Sequence, residues 1–242
     1  MKTILITGGA RGIGKAIVYE LAKSNYNIIL NYNSSQKEAE QIEEELTKQG
    51  HKVDIYKADI TKKEEVQKMI EYTIEKYKKV DVLINNAGIS QIKTFAELTE
   101  EDWDKMIDTN LKSIFYTSKA VLSTMLHEQN GLILNISSIW GVIGASCEVH
   151  YSTAKAGMNG FTKALAKELG PSNIRVNAIA PGIIDTNMNA NLSKEEVEKI
   201  KESIPLERIG KPEQIAKAVT WLIEDEYTTG QIISIDGGWG IN

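Results

Sequence analysis

The stretch that decides the fold is TGGARGIG, Thr7–Gly14, which follows the apolar run Thr3–Ile6. Beyond it, Gly12–Ser24 carries apolar residues at helical spacing, so the stretch is a turn between a strand and a helix. Glycines allow positive φ and close backbone approach, and a helix N-terminus presents free N–H groups to a phosphate. The turn therefore predicts an α/β fold that begins with a nucleotide site.

Two familiar nucleotide motifs differ from this turn. A P-loop requires a hydroxyl residue after its G-K pair to bind Mg²⁺, but Ala16 follows Gly14-Lys15. The common dinucleotide fingerprint G-x-G-x-x-G needs a glycine where the chain has Ile17. The remaining pattern, T-G-x-x-x-G-x-G, favours a dinucleotide over a nucleoside triphosphate.

Short apolar runs alternate with longer amphipathic segments along the chain. Several runs lack polar alternation, as expected for strands of a parallel sheet covered on both faces. Strands are predicted at Thr3–Ile6, Asn27–Leu30, Lys52–Lys57, Val80–Ile84, Gly131–Ile136, Arg175–Ile179 and Ile232–Ile235. Helices are predicted at Gly12–Ser24, Gln36–Gly50, Lys63–Lys78, Glu101–Glu128, Tyr151–Gly170 and Pro212–Ile223. This order predicts a doubly wound, seven-stranded parallel sheet of Rossmann type with helices on both faces, as a single domain spanning residues 1–242.

Local signals support these boundaries and pick out one irregular segment. Residues 185–207 contain one short helical pattern, Lys194–Glu202, and no predicted strand. Their position after a strand end predicts a substrate lid. Capping residues are found at Ser35, at Thr61 with Glu64, at Thr99 with Asp102, and at Pro212.

The composition disfavours several classes of protein. With 28 Lys+Arg and 33 Asp+Glu among 242 residues, the formal net charge is −5, which argues against nucleic acid as a partner. The single cysteine, Cys147, excludes an intramolecular disulfide framework and fits a reducing, cytoplasmic location. No apolar run approaches the roughly 18 residues of a membrane span, so no membrane partner is expected. The start at Met1 resembles no signal peptide.

The nucleotide is predicted from the end of the second strand. An acidic residue there would bind a ribose 2′-hydroxyl and select NAD, but the chain reads NYNSS at Asn31–Ser35. Arg11 in the glycine turn offers a forked donor for a 2′-phosphate. NADPH is therefore preferred over NADH, and a solvated loop cation is the other interpretation of Arg11.

Further cofactor contacts are predicted where other strands end. Asp59 follows the third strand and either contacts the adenine or caps the next helix. The small residues of Asn85–Gly88 let a dinucleotide lie across the carboxyl edge of the sheet. The cofactor-binding set predicted from these segments is Gly8, Arg11, Gly12, Ile13, Gly14, Asn33, Ser34, Asp59, Ile60, Asn86, Ala87 and Gly88.

A catalytic group is predicted around Tyr151 and Lys155, which are four residues apart and share one helix face. Ser138 ends the preceding strand, and Asn110 lies in a long predicted helix that a polar residue can interrupt or hydrate. Behind a nucleotide turn, these side chains suit ketone reduction, because hydride transfer leaves an alkoxide that must be protonated. The lysine ammonium is expected to lower the pKa of the tyrosine, and Ser138 to hold the substrate oxygen.

Hydrolytic and metal-dependent alternatives fit less well. Ser138 lacks the G-x-S-x-G elbow of esterases, and His150 has no evident carboxylate partner. The histidines His51, His127 and His150 lack the spacing of metal ligands, so no metal site is predicted.

These motifs, taken in order, resemble those of the short-chain dehydrogenase/reductase family over essentially the whole chain. The resemblance rests on Thr7–Gly14, Asn85–Gly88, Asn110, Ser138, Tyr151-x-x-x-Lys155 and Pro181-Gly182. It implies that Ser138, Tyr151, Lys155 and Asn110 are catalytic, with Asn110 holding a water in a proton relay through Lys155. It also implies cofactor contacts by Tyr151, Lys155, Pro181, Gly182, Ile184 and Thr186, the last four around the nicotinamide.

Within the family, the chain is most similar to the 3-oxoacyl-acyl-carrier-protein reductases. The similarity includes the chain length and the segments Pro181–Thr186 and Ile235–Gly238. It implies NADPH-dependent reduction of a 3-oxoacyl thioester on acyl carrier protein, in fatty acid synthesis. It also implies a homotetramer built through Glu101–Glu128, Tyr151–Gly170 and Pro212–Ile235.

Two departures leave the substrate open. That group docks its acidic carrier with arginines beside the active-site mouth, but the matching positions are the uncharged Gln129 and Ser172. Trp140 and Glu148, in the loop before Tyr151, offer an indole and a carboxylate to a cationic substrate head. The loop resembles that of reductases acting on a 5-aminopentanone group on elongation factor P, so a protein-linked aminoketone is the alternative substrate. A packing role for Trp140, a solvated acid at Glu148 and a catalytically silent nucleotide-binding scaffold are the remaining interpretations.

Overall fold

The computed structural model describes residues 1–189 and 193–241. Its strands are β1 (Thr3–Ile6), β2 (Asn27–Tyr32), β3 (Lys52–Lys57), β4 (Val82–Asn85), β5 (Gly131–Ile136), β6 (Ile174–Pro181) and β7 (Ile232–Ile235). They form one parallel sheet in the order β3-β2-β1-β4-β5-β6-β7, which confirms the predicted doubly wound, seven-stranded architecture. Because the strand order reverses between β1 and β4, a ligand crevice is expected at the carboxyl ends of these strands.

Helices cover both faces of the sheet. They are α1 (Gly12–Ala22), α2 (Gln36–Lys48), α3 (Lys63–Tyr77), α4 (Glu100–Ile107), α5 (Ser113–Glu128), α6 (Trp140–Ile143), α7 (Val149–Leu169), α8 (Lys194–Ser203) and α9 (Pro212–Glu224). One buried apolar cluster joins α1, α2 and α9 to one face, and a second joins α3, α5 and α7 to the other. Strands such as β1 and β5 are buried at every position, which explains their unbroken apolar runs.

The predicted helix Glu101–Glu128 is interrupted in its first half. Between α4 and α5, a π-helical turn covers Asp108–Lys112, and the Ser113 N–H donates to the Asp108 carbonyl five residues earlier. Asn110 lies in this turn with its side chain fully buried. Such single-turn insertions are frequent at functional sites. The apolar spacing does not reveal the turn, because both flanking segments are ordinary α-helix.

One predicted cap is present and another is wrong. Thr99 and Asp102 form a capping box at the start of α4, in which each side chain bonds to the other residue's backbone N–H. Thr61 does not cap α3, whose N-cap is Lys62. The Thr61 hydroxyl donates instead to the Asp59 carboxylate at 2.7 Å. Thr61 is therefore part of the turn before α3 and does not cap the helix.

The predicted lid, residues 185–207, includes residues 190–192, which lie outside the described part of the chain. Before them, Asn187–Asn189 forms a 3₁₀ turn, and helix α8 follows. The role of this segment as a lid and the assignment of residues 1–242 to one domain stay predictions. Within the described residues, no helix combines the length and the apolar character needed to span a bilayer.

Candidate active site

The glycine-rich turn is tightly packed before α1. Gly8 and Gly12 have positive φ values of 63° and 52°, in the region that favours glycine. A Cβ on Gly14 would overlap the Gly8 carbonyl oxygen, and Ile13 packs against the apolar core. The glycines predicted to bind the cofactor are therefore also required by the shape of the turn. A phosphate at the start of α1 would meet backbone N–H groups.

Thr7 and Asn86 join this turn to the segment after β4. The Thr7 hydroxyl accepts hydrogen bonds from the N–H groups of Asn86 at 3.0 Å and Ala87 at 3.1 Å. The Asn86 side-chain amide donates to the carbonyls of Thr7 and Gly8, both at 3.0 Å. Two predicted cofactor segments, distant in sequence, thus lie side by side.

Sequence reasoning missed Asn31, the second-to-last residue of strand β2. The side chain is 2% exposed, and its Nδ2 donates to the carbonyls of Tyr56 at 3.3 Å and Ala58 at 3.0 Å. Its Oδ1 accepts a hydrogen bond from the Gly8 N–H at 3.4 Å. Asn31 therefore ties the ends of β2 and β3 to the glycine turn. The available signal was an amide inside the apolar strand NIILNY, since a buried amide needs partners.

The side chains predicted for the adenosine end of the cofactor lie at the start of α1 and after β2 and β3. The exposed members of this set are Arg11, Asn33 and Ser34. Asp59 accepts hydrogen bonds from the Thr61 N–H at 2.9 Å and the Thr61 hydroxyl at 2.7 Å, and Ile60 is buried. These bonds agree with the interpretation of Asp59 as a residue that organises the turn before α3.

The segment after β6 passes close to the glycine turn. Pro181 ends β6, and the Gly182 N–H donates to a carbonyl of β7 at 3.0 Å. Ile184 is buried, and the Thr186 Cγ2 lies 3.4 Å from where a Cβ on Gly12 would be. The residues predicted to line the nicotinamide therefore lie within reach of the residues predicted to hold the phosphates.

Ser138, Tyr151 and Lys155 lie together at the carboxyl edge of the sheet. Ser138 follows β5, and the other two occupy successive turns of α7. All three are buried, with 8%, 8% and 3% of their surface exposed. The Ser138 hydroxyl lies close enough to the Tyr151 phenol to lower its pKa, and the Lys155 Nζ lies 5.7 Å from the centre of the Tyr151 ring. The fold thus gathers a hydroxyl, a phenol and an amine in one cluster.

Burial dominates the protonation of this cluster. It raises the pKa of Tyr151 to about 12, against the opposing effect of the Ser138 hydroxyl and with a further rise from the Glu148 charge. Burial lowers the pKa of Lys155 to about 8. The expected lowering of the tyrosine pKa is therefore not found here, because desolvation outweighs it and the Lys155 Nζ donates to the Ile136 carbonyl at 2.8 Å. At neutral pH the phenol keeps its proton.

Asn110 joins the π-helical turn to the segment after β4. Its Oδ1 accepts from the Ile89 N–H at 3.1 Å, and its Nδ2 donates to the Ile89 carbonyl at 3.0 Å. A Cβ on Gly88 would lie 2.5 Å from the Asn110 Oδ1 and 3.7 Å from the Lys155 Nζ. The Asn110 side chain therefore holds this segment close to Lys155, and backbone groups occupy both of its polar atoms.

Trp140 and Glu148 border Tyr151, and a third residue joins them. Trp140 begins α6 and packs in one apolar cluster with Tyr151. Glu148 is half-buried, and its negative charge reaches the phenol. The ring of Trp239, after β7, lies 4.7 Å from that of Trp140, centre to centre. Sequence reasoning missed Trp239, because no local pattern links the end of the chain to Trp140.

The expected carrier-docking positions do not lie at this mouth. Gln129 precedes β5 and Ser172 precedes β6, so both lie at the amino edge of the sheet. The Asn173 side chain donates to the Gln129 carbonyl at 3.3 Å, which puts the two positions side by side. Ser138 and Pro181 lie at the opposite ends of these strands, about 20 Å away for six residues. The expectation that both positions flank the mouth of the same chain is therefore wrong.

Comparison with known proteins agrees with this fold and geometry. A family model described as short chain dehydrogenase matches residues 2–197. The 3-oxoacyl-[acyl-carrier-protein] reductase FabG of Thermotoga maritima is 41% identical, over 98% of this chain and 97% of that protein. The same-named protein of Chlamydia trachomatis serovar D is 40% identical, over 98% and 96%. A solved variant of actinorhodin polyketide ketoreductase with NADPH shares 32% identity and a TM-score of 0.94, over 100% of this chain and 98% of that one. The chain therefore belongs to the short chain dehydrogenase family of oxidoreductases.

Proposed function

We propose that this protein reduces a ketone to a secondary alcohol with NADPH. The observation that carries the proposal is the buried cluster of Ser138, Tyr151 and Lys155 beside the glycine-rich turn. A hydroxyl donor, a phenol that keeps its proton and a nearby amine suit the protonation of a developing alkoxide.

The residues around the crevice fit a nicotinamide dinucleotide. Gly14 packs directly against the Gly8 carbonyl, which brings the first turn of α1 to the carboxyl edge of the sheet. The free N–H groups of that turn can bind a phosphate. The exposed Arg11 guanidinium suits a 2′-phosphate, and neither Asn33 nor Ser34 carries a charge that would repel one. The bound dihydronicotinamide supplies the hydride. We assign the remaining contacts to Gly8, Gly12, Ile13, Asp59, Ile60, Asn86, Ala87, Gly88, Pro181, Gly182, Ile184 and Thr186.

Within the cluster, the protein's own groups move one proton. Ser138 donates a hydrogen bond to the ketone oxygen, and Tyr151 gives its proton to the alkoxide. A pKa of about 12 keeps the Tyr151 phenol protonated until then. The Lys155 ammonium turns from the Ile136 carbonyl toward the phenolate and stabilises it. We assign the relay water to the turn of Asn110, whose side chain is bonded to the Ile89 backbone near Lys155.

Two substrate classes are candidates. The name of the Thermotoga maritima relative, 3-oxoacyl-[acyl-carrier-protein] reductase, supports a 3-oxoacyl thioester on acyl carrier protein. The half-buried carboxylate of Glu148 beside Trp140 supports a protein-linked cationic aminoketone, such as 5-aminopentanone on elongation factor P, because a fatty acyl chain gains nothing from a carboxylate. A homotetramer and a cytoplasmic location stay predictions.

The test follows NADPH oxidation with a 3-oxoacyl thioester and with an aminoketone. Tyr151→Phe should lose nearly all turnover while NADPH binding survives. Tyr227→Phe is the matched control, since Tyr227 is 98% exposed and should keep the wild-type rate. Undiminished reduction by Tyr151→Phe would show that another group gives the proton. NADPH binding without turnover of either ketone would favour the silent scaffold.

A further inference from the structure

A buried histidine precedes Tyr151 on α7 and lies against the post-β4 segment, residues 88–93. His150 has none of its surface exposed, and its Nε2 lies 3.1 Å from the Gln91 Oε1. The Gln91 Nε2 donates in turn to the Asp102 carboxylate at 2.9 Å. These hydrogen bonds connect α7 to α4 through the post-β4 segment. The carboxylate that the local sequence does not show for His150 therefore comes from α4, by way of Gln91.

The direction of these bonds fixes which ring nitrogen of His150 carries the hydrogen. Hydrogen bonds from Lys93, at 2.6 Å, and from Gln91 hold the pKa of Asp102 well below its usual range, so its carboxylate can only accept. The Gln91 amide must then present its Nε2 to Asp102 and its Oε1 to His150. Because Oε1 only accepts, the hydrogen of the neutral ring lies on Nε2, and Nδ1 is a bare acceptor.

A second proton on this ring would be costly. Within the described residues, the Nδ1 of His150 has no hydrogen-bond partner. Protonation would bury both a positive charge and an N–H group without an acceptor. Burial accordingly lowers the pKa of His150 below its ordinary value of 6.5. Within α7, its nearest titratable neighbours in sequence are Glu148 and Tyr151.

The charged groups of the surrounding elements nearly cancel. Asp102 from α4 raises the pKa of the ring and Lys93 from the post-β4 segment lowers it, and these two side chains form an ion pair. Helix α6 carries no charged side chain. In the π-helical turn, Asp108 and Lys112 pair with each other at 3.0 Å. The neighbours therefore do not compensate a charged ring.

The post-β4 segment lies between the proposed cofactor contacts and the catalytic cluster. At one end, a Cβ on Gly88 would lie 3.7 Å from the Lys155 Nζ, and the Ile89 backbone is bonded to Asn110. At the other end, the Lys93 N–H donates to the Cys147 carbonyl at 2.7 Å, just before α7. The bond between His150 and Gln91 holds the middle of the segment, so its loss would loosen the contact beside Lys155.

We propose that His150 is a positioning residue for the reduction: its neutral ring holds the post-β4 segment against α7, and protonation of the ring releases the segment. The inference rests on the proposed function and adds a pH-dependent step to it. In the released form the ring meets water and takes up a proton near pH 6.5. The closed form is therefore fully favoured above this pH. Below it, the ratio of closed to open form falls by up to about tenfold per pH unit.

Hydrogen exchange of the Ile89 and Lys93 amides measures the opening directly, since both donate hydrogen bonds in the closed form. The comparison is with His150→Gln, whose side-chain amide can donate to Gln91 but does not titrate. Relative to that variant, the protection of both amides in the wild type should fall about tenfold between about pH 7.5 and about pH 5.5. An equal ratio at the two pH values would overturn the proposal.

Two further variants separate the hydrogen bond from the presence of a histidine. His150→Phe keeps a ring without the donor and should lower the protection of both amides at either pH. Wild-type protection in His150→Phe at about pH 7.5 would show that the bond does not hold the segment. His127→Gln removes an exposed histidine on α5 and should keep the wild-type pH dependence.

Initial rates of NADPH oxidation connect the segment to turnover. His150→Gln should keep the wild-type kcat/KM at about pH 7.5 and exceed it at about pH 5.5, because Tyr151 and Lys155 titrate alike in both proteins. A wild-type rate that follows that of the variant at both pH values overturns the positioning role and leaves the proposed reduction intact. The pH-dependent exchange without reduction of any ketone supports the release of the segment and overturns the proposed reduction.

Discussion

Replacing Lys155 with methionine is expected to stabilise the folded protein at neutral pH while it abolishes ketone reduction. Lys155 is 3% exposed, and burial lowers its pKa from 10.5 to about 8. In the unfolded chain the ammonium is hydrated and has its ordinary pKa. Folding at neutral pH therefore buries a charge at a cost in free energy, and methionine has similar length without that charge.

The magnitude follows from the pKa difference. A pKa unit corresponds to about 1.4 kcal/mol, so the buried ammonium costs about 3 kcal/mol at neutral pH. The methionine variant leaves the Ile136 carbonyl without its 2.8 Å donor, a loss of about 1–2 kcal/mol. The expected net gain for Lys155→Met is therefore about 1–2 kcal/mol at neutral pH.

The gain should disappear in alkali. Between the folded pKa of about 8 and the unfolded value of 10.5, the unfolded chain binds more protons than the folded protein. The stability of the wild type therefore rises with pH through this window relative to the variant. At about pH 10 the cost of the charge has fallen to about 1 kcal/mol, and the two proteins should be equally stable.

Urea unfolding of both proteins at equal concentration, at neutral pH and near pH 10, measures this difference. Lys163→Met, an exposed lysine on the same helix, is the control and should show no such dependence on pH. The reasoning is refuted if Lys155→Met is less stable than the wild type at neutral pH and the difference is the same in alkali.

Three further predictions concern the cofactor crevice. Arg11→Ala should raise KM for NADPH far more than for NADH in initial-rate assays, and equal changes would rule out 2′-phosphate recognition. Gly14→Ala should lower NADPH affinity and melting temperature, because its Cβ would overlap a backbone carbonyl; Gly160→Ala, with open space at its Cβ, should melt at or above the wild-type temperature. Asn31→Ala removes the donor to the Tyr56 and Ala58 carbonyls and should cost about 2–3 kcal/mol in urea unfolding. The exposed Asn33→Ala is its control, and equal losses in both would contradict the bridging role.

Local patterns were enough to predict much of this fold. Strands such as Gly131–Ile136 are covered on both faces, so their apolar runs are visible without knowledge of their neighbours. The turn Thr7–Gly14 needs glycine at fixed positions, and Tyr151 and Lys155 share a helix face because the α-helix repeats about every 3.6 residues. Each of these features depends on residues only a few positions apart.

The details of the site depend on segments that are far apart in the chain. Apolar spacing around Asn110 suits an uninterrupted helix, but its side chain is bonded to the Ile89 backbone from another segment. The pKa of Tyr151 rises instead of falling, because the depth of its burial is set by how α7 packs on the sheet.

Residue spacing thus predicted the sheet, the glycine turn and the pairing of a tyrosine with a lysine. Packing of distant segments was required to bring Trp239 against Trp140 and the Asn110 side chain against the Ile89 backbone. The physical reason is the range of the interactions: helical and strand periodicity acts between near neighbours, whereas these contacts form only when the whole sheet and its connections have closed.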